Sequence, residues 1–448
     1  MTDSRYLWWE PEARAFRDRV VEEIEQLEPL SLANHVEELD RRQRVHLTER
    51  CINLYPGTNI MSPRVASLLS STVATRASEG HPGAKYQTGL RWSEETEVIA
   101  AELIRRLFDA EYAEVRALSG TMANMAVLNS LTEPGDAIFS LSTPVGGHIS
   151  HQTIGAAGYR GLSIHQIPYD PEAWRIDLEK LESEATAHEP RLIVVGASLI
   201  LFPYPLREVR AIADKVGARV MYDAAHVAGL IAGGEWQHPL EEGAHVMTAS
   251  AYKTFGGPPG GFIVTNDPDI ARGVDRAVFP GMTANFHSNR LPALAIAAAD
   301  MLAFGRDYAT ACRDNAQHLA AAFKKEGLTV AGEARSHTAG HMLALDVRGQ
   351  GGGRLAASKL ESANIVCNMN LLPRDSIRTL KNPSGIRLGV HEVTRWGMGP
   401  EEMERIADLF NQVLVEDRPV EEVREAVRDL KAGFDEVHYC LNGKHAKS

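Results

Sequence analysis

Lys253 stands at the end of an apolar run and opens a Gly/Pro-rich loop, in SAYKTFGGPPGGFIVTN. Burial behind a strand lowers an amine's pKa toward the range in which it is a nucleophile able to form a Schiff base. Taken alone, the motif favours a structural lysine. Thirty residues earlier (253 − 223), YDAAHVAGL ends an apolar run on Asp223 and sets His226 just beyond it. A carboxylate at a strand's C-terminal edge can pair with the protonated ring nitrogen of a bound heterocycle. It can also be an ordinary acidic edge residue or a helix cap. In ALSGTMANMAV, Ser119, Gly120 and Thr121 precede an apolar helix face that begins at Met122. Free N–H groups at a helix start, two hydroxyls and a glycine make a phosphate cradle, although Ser or Thr there is more often a plain N-cap. In STPVGGHISHQ, Gly146 and Gly147 permit close backbone approach and His148 offers an imidazole that can stack on an aromatic ring.

The elements around these residues must hold them at one edge. DAIFSLS, GLSIHQIPY, RLIVVGAS, ARVMYDAAH, HVMTAS and GGFIVTN each read as a buried strand, with helical stretches such as TMANMAVLNSLTEPG and PLREVRAIADKVG among them. Alternation of this kind predicts an α/β fold with a mostly parallel sheet. A helix-rich stretch follows from Arg290, then HMLALDVRG and LAASKLESAN suggest a smaller α/β domain, and the tail reads as two helices broken at Pro419. The expected division is an N-terminal helical arm over 1–60, a large domain over 61–325 and a small C-terminal domain over 326–448. The arm is either a solvated amphipathic segment or a subunit contact. A net charge of −12 argues against a general nucleic-acid or anionic-membrane binder. The four cysteines form no CxxC pair, no apolar run approaches a membrane span, and the N-terminus has no signal-peptide core. A cytoplasmic protein is the expectation.

In this order the four motifs resemble the serine hydroxymethyltransferase family. The resemblance covers about residues 50–415 and continues in SEGHPGAKY, VFPG and SGIRLGVHEVTRWGM. It implies a fold-type-I, aspartate-aminotransferase-like transferase dependent on pyridoxal phosphate. By this resemblance Lys253 forms the internal aldimine, Asp223 pairs with the pyridine nitrogen and His148 stacks on the ring. His226 and Ser198 are expected on the O3′ side, and Ser119, Gly120 and Thr121 on the phosphate, with Gly281 from a neighbouring subunit. Arg387 matches the arginine that grips the substrate carboxylate, and Glu79 the acid–base glutamate near the β-hydroxyl. The implied reaction makes or breaks the Cα–Cβ bond of a β-hydroxy amino acid through an external aldimine and a quinonoid, with an aldehyde or one-carbon donor as partner. A homodimer or dimer-derived tetramer follows, because in this family each site borrows residues from a second subunit.

This chain departs from the family at the substrate end. The tyrosine two residues before Glu79 is Ala77, and a second tyrosine, following Tyr86, is Gln87. The histidine before the Schiff-base lysine is Tyr252, and the serine–glutamate pair of the N-terminal motif is Gly57 and Thr58 in YPGTNI. Lost rings and a shortened serine are expected to enlarge or reshape that end, favouring an α-methyl or bulkier β-substituted analogue over serine. Tetrahydrofolate use stays open: Tyr86, Gly147 and Asn370 sit at family folate positions, whereas Gln87 and the YPGTNI loop do not match. The competing readings are a threonine-type transaldolase and a non-catalytic pyridoxal-phosphate-binding homologue.

Overall fold

The computed structural model describes residues 6–441, so 1–5 of the expected arm and 442–448 of the expected C-terminal domain lie outside it. The chain divides into two compact units, Met1–Cys51 and Ile52–Ser448. The first carries helices α1 (Pro11–Ile24) and α2 (Pro29–Val45), each with proline in its first turn, where the missing N–H costs no intrahelical bond. Neither helix has a buried residue.

The second unit is built on a seven-stranded sheet. In chain order its strands are β1 (Tyr112–Glu114), β2 (Ala137–Ser140), β3 (Ser163–Gln166), β4 (Leu192–Val195), β5 (Arg219–Asp223), β6 (Val246–Ser250) and β7 (Gly261–Thr265). They lie in the order β1-β7-β6-β5-β4-β2-β3. The run from β6 to β3 is parallel, and β7 is antiparallel to both its neighbours. Strands β4, β6 and β7 are buried along their whole length, as Val/Ile-rich strands covered on both faces must be. Among the packed helices are α3 (Arg91–Leu107), α4 (Gly120–Leu131) and the 36-residue α5 (Arg290–Lys325).

A second, antiparallel sheet consists of β8 (Thr329–Val330), β9 (Met342–Asp346), β10 (Asn368–Asn370) and β11 (Gly385–Gly389), in the order β8-β9-β11-β10. It shares an apolar cluster with the end of α5, with α6 (Pro400–Leu414) and with α7 (Val420–Ala432). The break between α6 and α7 falls at Pro419, as the sequence predicts. Among the described residues no helix is long and apolar enough to cross a membrane.

Candidate active site

Ligands of open α/β sheets bind at the carboxyl ends of the parallel strands. Those ends here carry the residues singled out by type and spacing. His148 follows β2, Ser198 follows β4, Asp223 ends β5, and Lys253 follows β6. Ser119 caps α4 after β1, which runs parallel to β6 because each is antiparallel to β7. Gly196, at φ +129°, lets the chain after β4 cross directly over β5, since a Cβ there would meet the Asp223 carbonyl oxygen at 2.3 Å.

Lys253 is buried, and its Nζ lies 3.1 Å from His226 Nε2. Burial brings its amine down from 10.5 to about 8, against the charge of Asp223 and with that of Arg387. The same burial, with the cations of Lys253 and Arg387, holds His226 neutral. Asp223 is also buried, and burial by itself would push its carboxyl up. Its hydrogen bond with His151, the imidazoles of His151 and His148, and the Ala225 N–H outweigh that and hold it well below the usual carboxylate range. His151 Nε2 lies 3.2 Å from Asp223 Oδ2, to which Asn124 Nδ2 donates at 2.8 Å. Asn124 Oδ1 in turn accepts from Thr248 Oγ1 at 2.7 Å. His148 Nδ1 is 2.7 Å from Ser150 Oγ, and burial keeps its imidazole near 4 despite the pull of Asp223.

Arg387, on β11, donates Nε to Asn368 Oδ1 at 3.2 Å and Nη1 to the Ser198 carbonyl. Burial lowers its guanidinium to about 10, which leaves it charged at neutral pH. A cleft of 210 Å³ brings Arg387 together with Gly147, His148, Ser198 and Asn370. Larger clefts of 390 and 1000 Å³ open elsewhere and contain none of the expected site residues. Chemistry rather than size selects the smaller one.

The remaining expected residues fall into two groups. Ser119 Oγ accepts from Met122 N at 3.1 Å, so the plain N-cap is present, and the first N–H groups of α4 have no intrahelical acceptor. Gly120 beside it is buried against β6, because a Cβ there would strike Ser250 Oγ at 2.4 Å, while Thr121 is exposed. Tyr252 is half-buried next to Lys253, and Gly57 is buried beneath the Tyr55 ring. Glu79, Tyr86 and Gly281 stand apart. Glu79 Oε2 accepts from Gln87 Nε2 at 3.0 Å, and its own N–H donates to Gln87 Oε1 at 2.9 Å. Tyr86 is 78% exposed, and Gly281 is exposed as well. Among the described residues, no hydrogen bond, ion pair or ring contact joins these three to Lys253, Asp223, His148 or Arg387. Sequence reasoning missed Asn124, His151 and Asn59, whose Nδ2 donates to the Lys253 carbonyl at 2.8 Å. Asn124 had a signal, as a polar residue within a run of buried Ala, Val and Leu on α4.

Pyridoxal phosphate suits this set of groups. Its aldehyde requires a buried amine that can shed its proton near neutral pH, and its ring nitrogen a buried, ionised carboxylate. Its phosphate requires free N–H groups at a helix start. His226 Nδ1 is buried with no hydrogen-bond partner, which leaves a polar atom to be satisfied in the same place.

The comparisons agree with that chemistry. The serine hydroxymethyltransferase family model matches residues 30–410. A serine hydroxymethyltransferase from Methanopyrus kandleri is 46% identical over 87% of this chain and 91% of its own length. One from Archaeoglobus fulgidus is 44% identical over 88% of this chain and 90% of its own. An alpha-methylserine aldolase from Ralstonia sp is 43% identical over 87% of this chain and 88% of its own. A match over most of the chain, to relatives of nearly its own extent, places it among the fold-type-I pyridoxal-phosphate transferases: the chain belongs to the serine hydroxymethyltransferase family.

Proposed function

We propose that this enzyme makes and breaks the Cα–Cβ bond of a β-hydroxy amino acid, and that its substrate is an α-methyl or larger β-substituted analogue of serine. The observation that carries the reaction class is the buried cluster of Lys253 with His226, Asp223 with His151 and Asn124, and Arg387 nearby. What supports the substrate is the changed substrate end: Ala77 and Gln87 where the resemblance expects two tyrosines. The likeness to the Ralstonia alpha-methylserine aldolase points the same way.

Bound pyridoxal phosphate supplies an electron sink for the pair left at the α-carbon when one of its bonds breaks. The chain's residues do the rest. Arg387 holds the substrate carboxylate with a permanent charge and so fixes which α-carbon bond can be cleaved. Asp223, kept ionised by His151 and Asn124, holds the cofactor ring nitrogen protonated. His148 would cover the ring face and exclude water, and Ser119, Gly120 and Thr121 would hold the phosphate. Lys253 would hold the cofactor's aldehyde carbon, its lowered basicity making it a free amine at little cost. Glu79, contributed by a second subunit of a cytoplasmic homodimer or dimer-derived tetramer, takes the proton of the β-hydroxyl and returns it.

A product assay on serine, α-methylserine, threonine and phenylserine, with and without tetrahydrofolate, tests the reading. Faster cleavage of α-methylserine or phenylserine than of serine is expected. A clear preference for serine with tetrahydrofolate sinks the substrate assignment. Loss of the visible absorbance of the lysine-bound cofactor in Lys253→Ala is the companion test of the attachment site.

A further inference from the structure

Gly57 stands where the sequence leads one to expect extra room, yet the room is filled from within the chain. A Cβ at position 57 would lie 2.6 Å from both Cζ and Oη of Tyr55 and 2.8 Å from Cε1. The phenol therefore occupies the space that any side chain at 57 would need. The loop that carries it is fixed at several points. Tyr55 N donates to Asn53 Oδ1 at 3.0 Å, Asn59 Nδ2 donates to the Lys253 carbonyl at 2.8 Å, and Tyr308 Oη lies 3.0 Å from the same Asn59 nitrogen.

The Tyr55 ring neighbours Arg387. The centre of the Tyr55 ring is 5.8 Å from the guanidinium carbon, and the phenol beside it opposes the fall in the guanidinium's pKa that burial causes. Of the five N–H groups on an arginine, one on Nε is committed to Asn368 and one on Nη1 to the Ser198 carbonyl. Those two bonds orient the fork and leave three N–H groups, fewer than the roughly four lone-pair sites a carboxylate presents. A phenol can accept from the guanidinium and donate its own proton onward at the same time.

We propose that Tyr55 is a specificity-determining residue whose hydroxyl, seated over Gly57, is a second donor to the substrate carboxylate beside Arg387. The proposal rests on the reading of Arg387 as the carboxylate grip. In this chain the short residue at 57 gives up a hydroxyl of its own and admits one from two residues earlier. The α-carbon end of the substrate then meets an aromatic edge rather than a small side chain.

The test uses the cofactor-loaded enzyme and two ligands, the preferred β-hydroxy amino acid and 2-aminoethanol, which has the amine and the hydroxyl but no carboxylate. Tyr55→Phe is expected to raise KM for the amino acid roughly ten-fold, the loss of one hydrogen bond to a charged group, and more than it lowers kcat. Affinity for 2-aminoethanol, read from the change in visible absorbance, should stay where it was. The double variant Tyr55→Ala/Gly57→Ser should recover part of what Tyr55→Ala alone loses, because removing the ring opens space for a hydroxyl at 57. An unchanged KM in Tyr55→Phe, equal weakening of 2-aminoethanol, or no recovery in the double variant overturns the role of Tyr55. Arg387→Lys separates this from the underlying reading: undiminished amino-acid binding there brings down Arg387 as the grip, whatever Tyr55 does.

Discussion

At the scale of single residues, Lys253 owes its lowered basicity to burial before anything else. Its amine is drawn down to about 8, and only then do Asp223 and Arg387 pull it in opposite directions. Loading of cofactor-free protein with pyridoxal phosphate should therefore speed up as pH rises through about 8, where an exposed lysine would need a pH near 10.5. Replacing Arg387 with methionine removes a cation that lowers this pKa and should move the midpoint upward. Stopped-flow loading across pH 6–10, an interval of roughly four decades in proton activity, checks both points. Gln87 makes a second argument at this scale. Gln87, an amide where the resemblance expects a tyrosine, clasps Glu79 from two sides, one bond to the carboxylate and one to its backbone N–H. Gln87→Leu frees that carboxylate to rotate, which on the proposed reading takes it away from the β-hydroxyl. We expect kcat for carbon–carbon cleavage to fall roughly ten-fold with KM moving much less, the mark of a lost positioning residue. A change confined to KM would contradict it.

At the scale of elements, the turn after β6 keeps Lys253 in place. Gly256 adopts φ +69°, and a Cβ on it would come within 1.5 Å of Arg395 Nη1. Arg395 is itself buried, donates Nη1 to the Gly256 carbonyl at 3.1 Å and lies 3.8 Å from Asp300. Gly256→Ala therefore strains the backbone and drives a buried cation off its partners. That should cost more than about 3 kcal/mol and be visible as a lower urea midpoint together with a weaker cofactor absorbance. How far such elements could be read in the sequence depended on burial. Five strand segments with apolar runs were legible, and so was the break at Pro419, because burial on both faces and a missing N–H both write plainly in residue type, while the sixth, Ser163–Gln166, lies at the sheet edge and has no buried residue. Strands β1 and β10 were not, being three residues long and half-exposed, with Tyr, Glu and Asn rather than a hydrophobic run. The site divides in the same way. Lys253, Asp223, His148 and Arg387 sit in motifs, whereas His151 and Asn59 act through contacts across 72 and 194 positions that no local pattern encodes (223 − 151; 253 − 59).

At the scale of the whole molecule, the division of site residues within one chain has a consequence that activity can report. Lys253, Asp223, His148 and Arg387 gather at one sheet edge, while Glu79 is held on its own loop by Gln87. That loop is anchored far from ambiguity: Lys85 bonds the carbonyls of Ser78 and Gly80 and forms a buried ion pair with Glu97 on α3 at 2.6 Å. Bringing Glu79 to Lys253 by moving the loop would break that pair and strand its charges, at a cost of several kcal/mol. A second copy supplying Glu79 through a two-fold interface needs no such rearrangement, since an isologous contact lets each subunit complete its partner's site. Lys253→Ala and Glu79→Gln are each expected to be nearly inactive as separate homo-oligomers. Mixed and allowed to exchange subunits, they should regain about a quarter of the parental activity: random pairing makes half the dimers hybrid, and each hybrid has one intact site. The parental level is set by the unaltered enzyme at the same concentration, and size-exclusion chromatography with light scattering shows whether exchange has taken place. Exchange without recovery means that Glu79 serves the Lys253 of its own chain and that the loop does move. Recovery near a quarter fixes both the minimum assembly and the subunit from which the acid–base group comes.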